Sequence, residues 1–401
     1  MKIMVINVLA IGDTANVMKS LSKITKKSKI HIVNFPKDGA GVFIHDDNVD
    51  RFLSWKVKEQ VEYINKIKNN FDICIVMGMG ERIAYLADLN YIAYYVGRDI
   101  DAPRFVKNSK EQWFRTPLHK LNFLERKFYH DSFKNAVEHI AGRWVYPFLK
   151  KFDKNGIRMD MMYVDSTIFF DRKKLLKDEK TKFTFFCPQR MGIPKGTNLL
   201  WEGLKFCKSD FEIIQVNWFD ESNKEELKIK EELLEKIPFQ VKLVPMIKRS
   251  NMINYYNFAD AIIGNMRGGY TELVELEGTM CKKPVLQYQS KKMTMIIKNK
   301  EILPPFYPLS NNPKDIAKAI DHIVESREFR EQLVIQQSEF IKDFSDPVFI
   351  GEWWDNIFEK ISNETQSIRK NSSKTSIKFR MLLFLIGNRL YWRKIKKLIK
   401  N

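Results

Sequence analysis

Residues able to do chemistry are concentrated in two stretches of the 401-residue chain. The first reads Cys187-Pro-Gln-Arg190-Met-Gly-Ile-Pro-Lys195-Gly196-Thr-Asn198. Its arginine and lysine stand five residues apart in a loop of Gly and Pro. An anion placed there meets two cations and the free N–H groups of a helix starting near Asn198. A departing diphosphate needs such surroundings, because its charge grows as its bond breaks. A solvated turn with two surface cations fits the same residues.

The second stretch runs from Ala259 to Val285. It holds Gly264, the pair Gly268-Gly269, then Thr271, Glu272, Glu275, Glu277 and Pro284. Glycines let backbone amides come close to a phosphate or a sugar. Glu277 falls late in a helix, where a carboxylate can accept hydrogen bonds from the vicinal hydroxyls of a ribose. A surface carboxylate on a Glu-rich helix is the plain alternative.

The elements that must position these residues follow from periodicity. Lys2–Leu9 and Ile30–Phe35 read as strands, Trp55–Lys68 as an amphipathic helix, and Phe71–Met77 as a strand buried on both faces, because its apolar run is continuous. A helix opens at Gly80, and Ile92–Val96 is a further strand. The pattern restarts after Asp165, with strands at Phe183–Cys187, Phe211–Val216, Val241–Val244, Ala261–Gly264 and Pro284–Gln287. Helices at Asn198–Phe206, Glu225–Lys236, Asn251–Phe258 and Tyr270–Met280 lie between them. Strand–helix alternation of this kind predicts an α/β protein with two doubly wound parallel sheets. In such sheets ligands bind at the carboxyl ends of the strands, here facing a cleft between two domains.

Composition bounds the reading. Hydrophobic residues make up 44% of the chain, so sizeable cores are available, and 401 residues exceed what one core usually holds. Net charge is +19, but eleven cations and no acidic residue lie from Gln366 onward. Subtracting those eleven leaves only +8 for the first 365 residues. This argues for a local anionic partner and against nucleic acid. Leu390, Trp392, Ile395, Leu398 and Ile399 recur at helical spacing among Lys and Arg. That is the pattern of an interfacial helix, so residues 375–401 are expected to touch an anionic membrane surface. A disordered basic arm is the alternative. The four cysteines have no CxxC spacing and read as free thiols, and no stretch is long and apolar enough to span a membrane.

The two stretches together resemble the C-terminal domain of GT-B glycosyltransferases, most closely glycosyltransferase family 4. The matching residues are Arg190 with Lys195-Gly196, the segment Glu277-Gly-Thr-Met-Cys-Lys-Lys283-Pro284-Val285, the run Tyr255–Asp260, and Val164-Asp165 through Phe169 between the domains. The resemblance implies a retaining, metal-independent hexosyltransferase with no cofactor. It would move a sugar from a nucleotide-diphosphate sugar to a glycan or lipid-linked acceptor, in the cytoplasm at the inner face of the membrane. It implies catalytic roles for Arg190 and Lys195, donor-binding roles for Glu277, Gly268, Gly269, Thr271, Glu272 and Gly12, and an acceptor-binding role for Asp99. Gly12 follows the first strand, and Asp99 stands in Gly97-Arg-Asp-Ile100, similar to a family acceptor-domain motif. Asp99-Ile-Asp101 is also a lone DxD, but a metal is not expected on a GT-B-like chain. The six histidines lack ligand spacing, and His139 reads as core packing.

The expected domains are 1–165 on the acceptor side, 166–340 for the nucleotide sugar, 341–365 as a crossover helix back to the first domain, and 366–401 as a basic amphipathic tail. Two departures from the family stand out. Gln189 replaces its Gly, and Gly269 stands where its first conserved Glu would fall. The second departure keeps open an inactive, membrane-associated GT-B-like scaffold.

Overall fold

The buried apolar runs become the central strands of two parallel sheets. The computed structural model describes residues 1–8, 13–35, 50–51, 56–97, 100, 105, 123–172, 182–219, 224–365, 367–368, 370 and 372–387. They divide into two compact units, one of the residues up to Asp160 and from Val348 onward, the other Met161–Pro347.

In the first unit the elements are β1 (Lys2–Val8), α1 (Asp13–Leu21), β2 (Lys29–Phe35), β3 (Asp50–Arg51), α2 (Val57–Ile67), β4 (Ile73–Gly78), α3 (Gly80–Leu86), β5 (Tyr91–Tyr95), α4 (Phe123–Lys134), β6 (Glu138–Ala141), α5 (Tyr146–Phe152) and β7 (Ile157–Arg158). The strands pair in parallel in the order β3-β2-β1-β4-β5-β6-β7. All of β4 is buried, as a strand covered by helices on both faces must be. His139 belongs to this core. Its ring stacks on Phe133, and its two nitrogens bond Asp153 at 2.7 Å and the Phe133 carbonyl at 3.0 Å.

In the second unit come β8 (Phe183–Cys187), α6 (Thr197–Leu204), β9 (Phe211–Val216), α7 (Lys224–Leu234), β10 (Val241–Val244), α8 (Arg249–Phe258), β11 (Ala261–Ile263), α9 (Leu273–Met280) and β12 (Val285–Leu286). The hairpin β13 (Met295–Ile297) and β14 (Lys300–Ile302), then α10 (Pro313–Glu325) and α11 (Arg327–Phe344), complete it. The main sheet is parallel in the order β10-β9-β8-β11-β12. Where the chain enters and leaves, the Val164 N–H donates to the Ser345 hydroxyl at 2.7 Å.

The chain then adds α12 (Pro347–Thr365) and α13 (Lys374–Gly387) to the first unit. Trp354 of α12 meets Tyr94 edge-on, with ring centroids 5.3 Å apart. Asp355 accepts from the Lys26 and Lys27 amides and from the Ser28 hydroxyl. Helix α13 is anchored by the buried Arg380, which donates to Asp88 at 2.8 Å and to the Tyr85 carbonyl at 2.9 Å. Leu383 is buried beside it, and Phe384 packs on Phe128. Part of the sequence-predicted tail is therefore a helix docked on the first unit. The interfacial pattern from Leu390 onward lies outside the described residues. No helix among the described residues is long and apolar enough to cross a membrane.

Burial pushes the Asp88 carboxyl up, but hydrogen bonds from Ser372 and the pairing with Arg380 outweigh it and hold it below its usual value. The stabilisation from this cluster is thus present near neutral pH and lost on acidification below 3.8. Removing one partner of a buried ion pair costs about 3 kcal/mol. Urea denaturation of Arg380→Ala at neutral pH is expected to show a loss of that size, shrinking toward acid pH.

Candidate functional site

The order β10-β9-β8-β11-β12 means that winding reverses between β8 and β11. Chain leaving these two neighbouring strands turns to opposite sides, and the crevice at their carboxyl ends is where open α/β sheets bind ligands. Both stretches singled out in the sequence end there. The loop after β8 carries Arg190 and Lys195, and the loop after β11 carries Gly268, Gly269, Thr271 and Glu272.

The two loops are stitched together. The Met266 amide donates to the Lys195 carbonyl at 3.1 Å, and Gln189 donates to the Gly264 carbonyl. Gly196 has φ +75°, and a Cβ there would lie 2.8 Å from the Met266 carbonyl carbon and 2.9 Å from the Arg267 nitrogen. Only glycine allows both that conformation and that approach. Asn265 holds the second loop from inside, its side-chain oxygen accepting from the amides of Arg267 and Gly268 at 2.9 and 2.8 Å.

The sequence reading starts a helix at Tyr270, whereas α9 begins at Leu273. Glu272 is its extended N-cap, and Glu272 and Glu275 form a reciprocal capping box. Gly269, with φ +69°, keeps the preceding chain out of the helix. Its Cβ position would lie 2.7 Å from Ser290 and 2.9 Å from the Tyr288 ring. The place where the family pattern has a carboxylate has no room for one here.

The predicted site residues divide into two groups. Lys195 and Glu272, 77 positions apart, form an ion pair with both side chains about one-fifth exposed. Arg190 is half-buried in the same loop as Lys195. Thr271 is buried, and its hydroxyl accepts from Gln287 at 3.2 Å. Glu277 is fully buried, with one carboxylate oxygen held by Arg249 and the other by the Tyr256 hydroxyl at 2.9 Å. Arg249 also lies over the Phe169 ring at 4.7 Å. A ribose could reach Glu277 only by displacing these partners. Gly12 and Asp99 lie outside the described residues. Sequence reasoning passed over Arg249, Asn265 and Arg267. The signal available for Arg267 was its place directly before the double glycine.

Among the described residues no group of three or more His, Cys, Asp or Glu is placed to hold a metal ion. All four cysteines are free thiols, and burial pushes Cys187, below the site, up to about 12.

No family model and no curated protein matches the chain. Solved structures do. Anabaena Alr3699/HepE in complex with UDP-glucose superposes with a TM-score of 0.64 at 13% identity, over 90% of this chain and 100% of that one. Sucrose-phosphate synthase from Thermosynechococcus elongatus gives 0.62 at 12% over 90% and 99%. A glycosyltransferase from Rickettsia africae gives 0.58 at 16% over 90% and 98%. The chain has a GT-B-like fold.

Glu275 offers a test of the site's electrostatics. It is fully buried, and its carboxylate accepts from the Asn265 and Glu272 amides at 2.7 and 2.9 Å. Burial, then the charge of Glu272, pushes its carboxyl up to about 7. The folded state holds this proton more tightly than the unfolded chain does, so the contribution to stability declines as pH rises from 4.5 to about 7. The stability of the wild type relative to Glu275→Gln, followed by urea midpoints, is expected to fall across that window.

Proposed function

We propose that the protein is a glycosyltransferase, similar to family 4, which moves a sugar from a nucleotide-diphosphate sugar to a glycan or lipid-linked acceptor. The observation that carries this reading is the convergence of Arg190, Lys195 and the Gly268-Gly269 loop on the switch point of the second sheet. Structures of similar fold hold UDP-glucose or UDP. Arg190 and Lys195 stabilise the charge that grows on the leaving diphosphate, and the glycine-loop amides approach the donor. Glu272 holds Lys195 in the free protein, and the incoming diphosphate takes over that ammonium. Glu277 fixes Arg249 beside the site. The reaction is read as retaining and metal-independent, with the phosphate charge met by side chains and amides.

The acceptor side is assigned to the first unit, through Gly12 and Asp99. The basic segment at 375–401 is assigned to the anionic inner face of the membrane. The outer face of α13 suits that partner, because Phe379, Leu382 and Leu385 are 54%, 50% and 40% exposed and the cations follow. A second reading, a GT-B-like scaffold without catalysis, draws on Gly269, whose surroundings exclude the family's carboxylate.

Two experiments test these assignments. Thermal-shift screening with UDP, GDP and their sugar conjugates is expected to find a stabilising nucleotide, with the shift reduced in Arg190→Ala and Lys195→Ala. No stabilisation by any of them would sink the donor site. Turnover of the stabilising donor, read as release of free nucleoside diphosphate, separates enzyme from scaffold. For the membrane, a chain ending at Gly387 keeps α13 docked while removing the last cations. It is expected to sediment less with phosphatidylglycerol vesicles than the full chain does, and equal sedimentation would overturn the assignment.

A further inference from the structure

Arg267 differs from several of the protein's half-buried or buried cations, which each meet a carboxylate. Lys195 is paired with Glu272, Arg249 with Glu277, Arg158 with Asp160, and Arg380 with Asp88. Among the described residues no carboxylate pairs with Arg267. One end of its guanidinium donates to a neutral acceptor, the Asn198 side-chain oxygen, at 3.3 Å. Its Nε is buried without a partner. Burial lowers its pKa from the ordinary arginine value, and no neighbouring negative charge restores it. A guanidinium partly withdrawn from water with no counter-charge of its own is placed to be completed by an incoming anion.

Its surroundings identify what that is. The Arg267 amide lies against Gly196, so the residue sits where the β8 and β11 loops touch. Asn198 belongs to the first turn of α6, directly after the Lys195-Gly196 loop. Lys195 is already paired with Glu272, whereas Arg267 brings to the site a positive charge that no carboxylate among the described residues pairs. We propose that Arg267 is a diphosphate-binding residue, gripping the anion with the part of its guanidinium that Asn198 leaves free. This rests on reading the switch point as a nucleotide-diphosphate site. It adds a cation from the second loop, which the match to the family's Arg–Lys spacing does not contain. A planar fork suits phosphate oxygens better than an ammonium does.

The test is calorimetric titration of the full chain with UDP, GDP, the two free nucleosides and inorganic pyrophosphate, at low and high salt. Arg267→Gln is expected to weaken nucleoside diphosphate binding about 10- to 100-fold and to flatten its salt dependence, leaving nucleoside binding unchanged. Arg267→Lys is expected to fall between, keeping the charge and losing the fork. Asn198→Ala is expected to stay within about twofold of the wild type, since the anion and not the amide balances the charge. Diphosphate affinity unchanged in both Arg267 variants would overturn the proposal and leave the donor site standing. So would equal losses for nucleoside and diphosphate, which mark a structural role. Pyrophosphate bound through Arg267 with no nucleotide bound would support the anion site and overturn the nucleotide reading. Wild-type protein that binds none of these ligands would overturn both.

Discussion

The candidate site depends on one pairing, that of β8 with β11. These strands are neighbours in space and far apart in sequence, and the sheet's winding reverses between them. The reversal opens the crevice, and the closeness of the two strands forces their loops into contact. Gly196 is the joint. Its left-handed backbone and lack of a side chain let the Met266–Arg267 peptide lie directly against it. Arg190, Lys195 and Arg267 are then placed by loops that fix each other. Lys195 finds Glu272 across this seam, and Arg267 finds Asn198. A larger residue at 196 would separate the loops and, with them, the charges.

The central strands of the second sheet were legible because they are mostly buried. Buried strands read as mainly apolar runs, and Phe183–Cys187 and Phe211–Val216 coincide with β8 and β9, as the edge strand Val241–Val244 does with β10 despite its exposed Lys242. The two-residue strands β3 and β7 carry no period to detect. Helix ends were less legible, because caps depend on side chains reaching back to the backbone. The Glu272–Glu275 box moved one helix start by three residues. Least legible were the partners of the charges. The spacing of Arg190 and Lys195 pointed to an anion, but nothing local shows that Glu272 already holds Lys195. Glu277 looked like a helix-face carboxylate, and only tertiary packing turns it inward to Arg249 and Tyr256. Arg380 read as one cation of a basic tail, yet Asp88, 292 positions earlier, makes it a buried anchor.

That last case changes the meaning of the net charge. The eleven cations after residue 365 are not equivalent. Arg380 is consumed by the fold, and Lys370 donates to the Asn135 side chain at 2.7 Å. Both are spent on docking. The charge that remains for a partner begins at the outer face of α13 and continues in the sequence beyond it.

The hydrogen bond between Val164 and Ser345 has a consequence for biosynthesis. It brings the two ends of the second unit together, so that unit is a complete insertion in the chain of the first. Ribosomes deliver it whole while α12 and α13 are still to be made. The second unit can therefore close its core during translation, whereas the first must wait for its final helices. The second unit would mature first, and any chaperone dependence would fall on the half of the chain that starts earliest and finishes last.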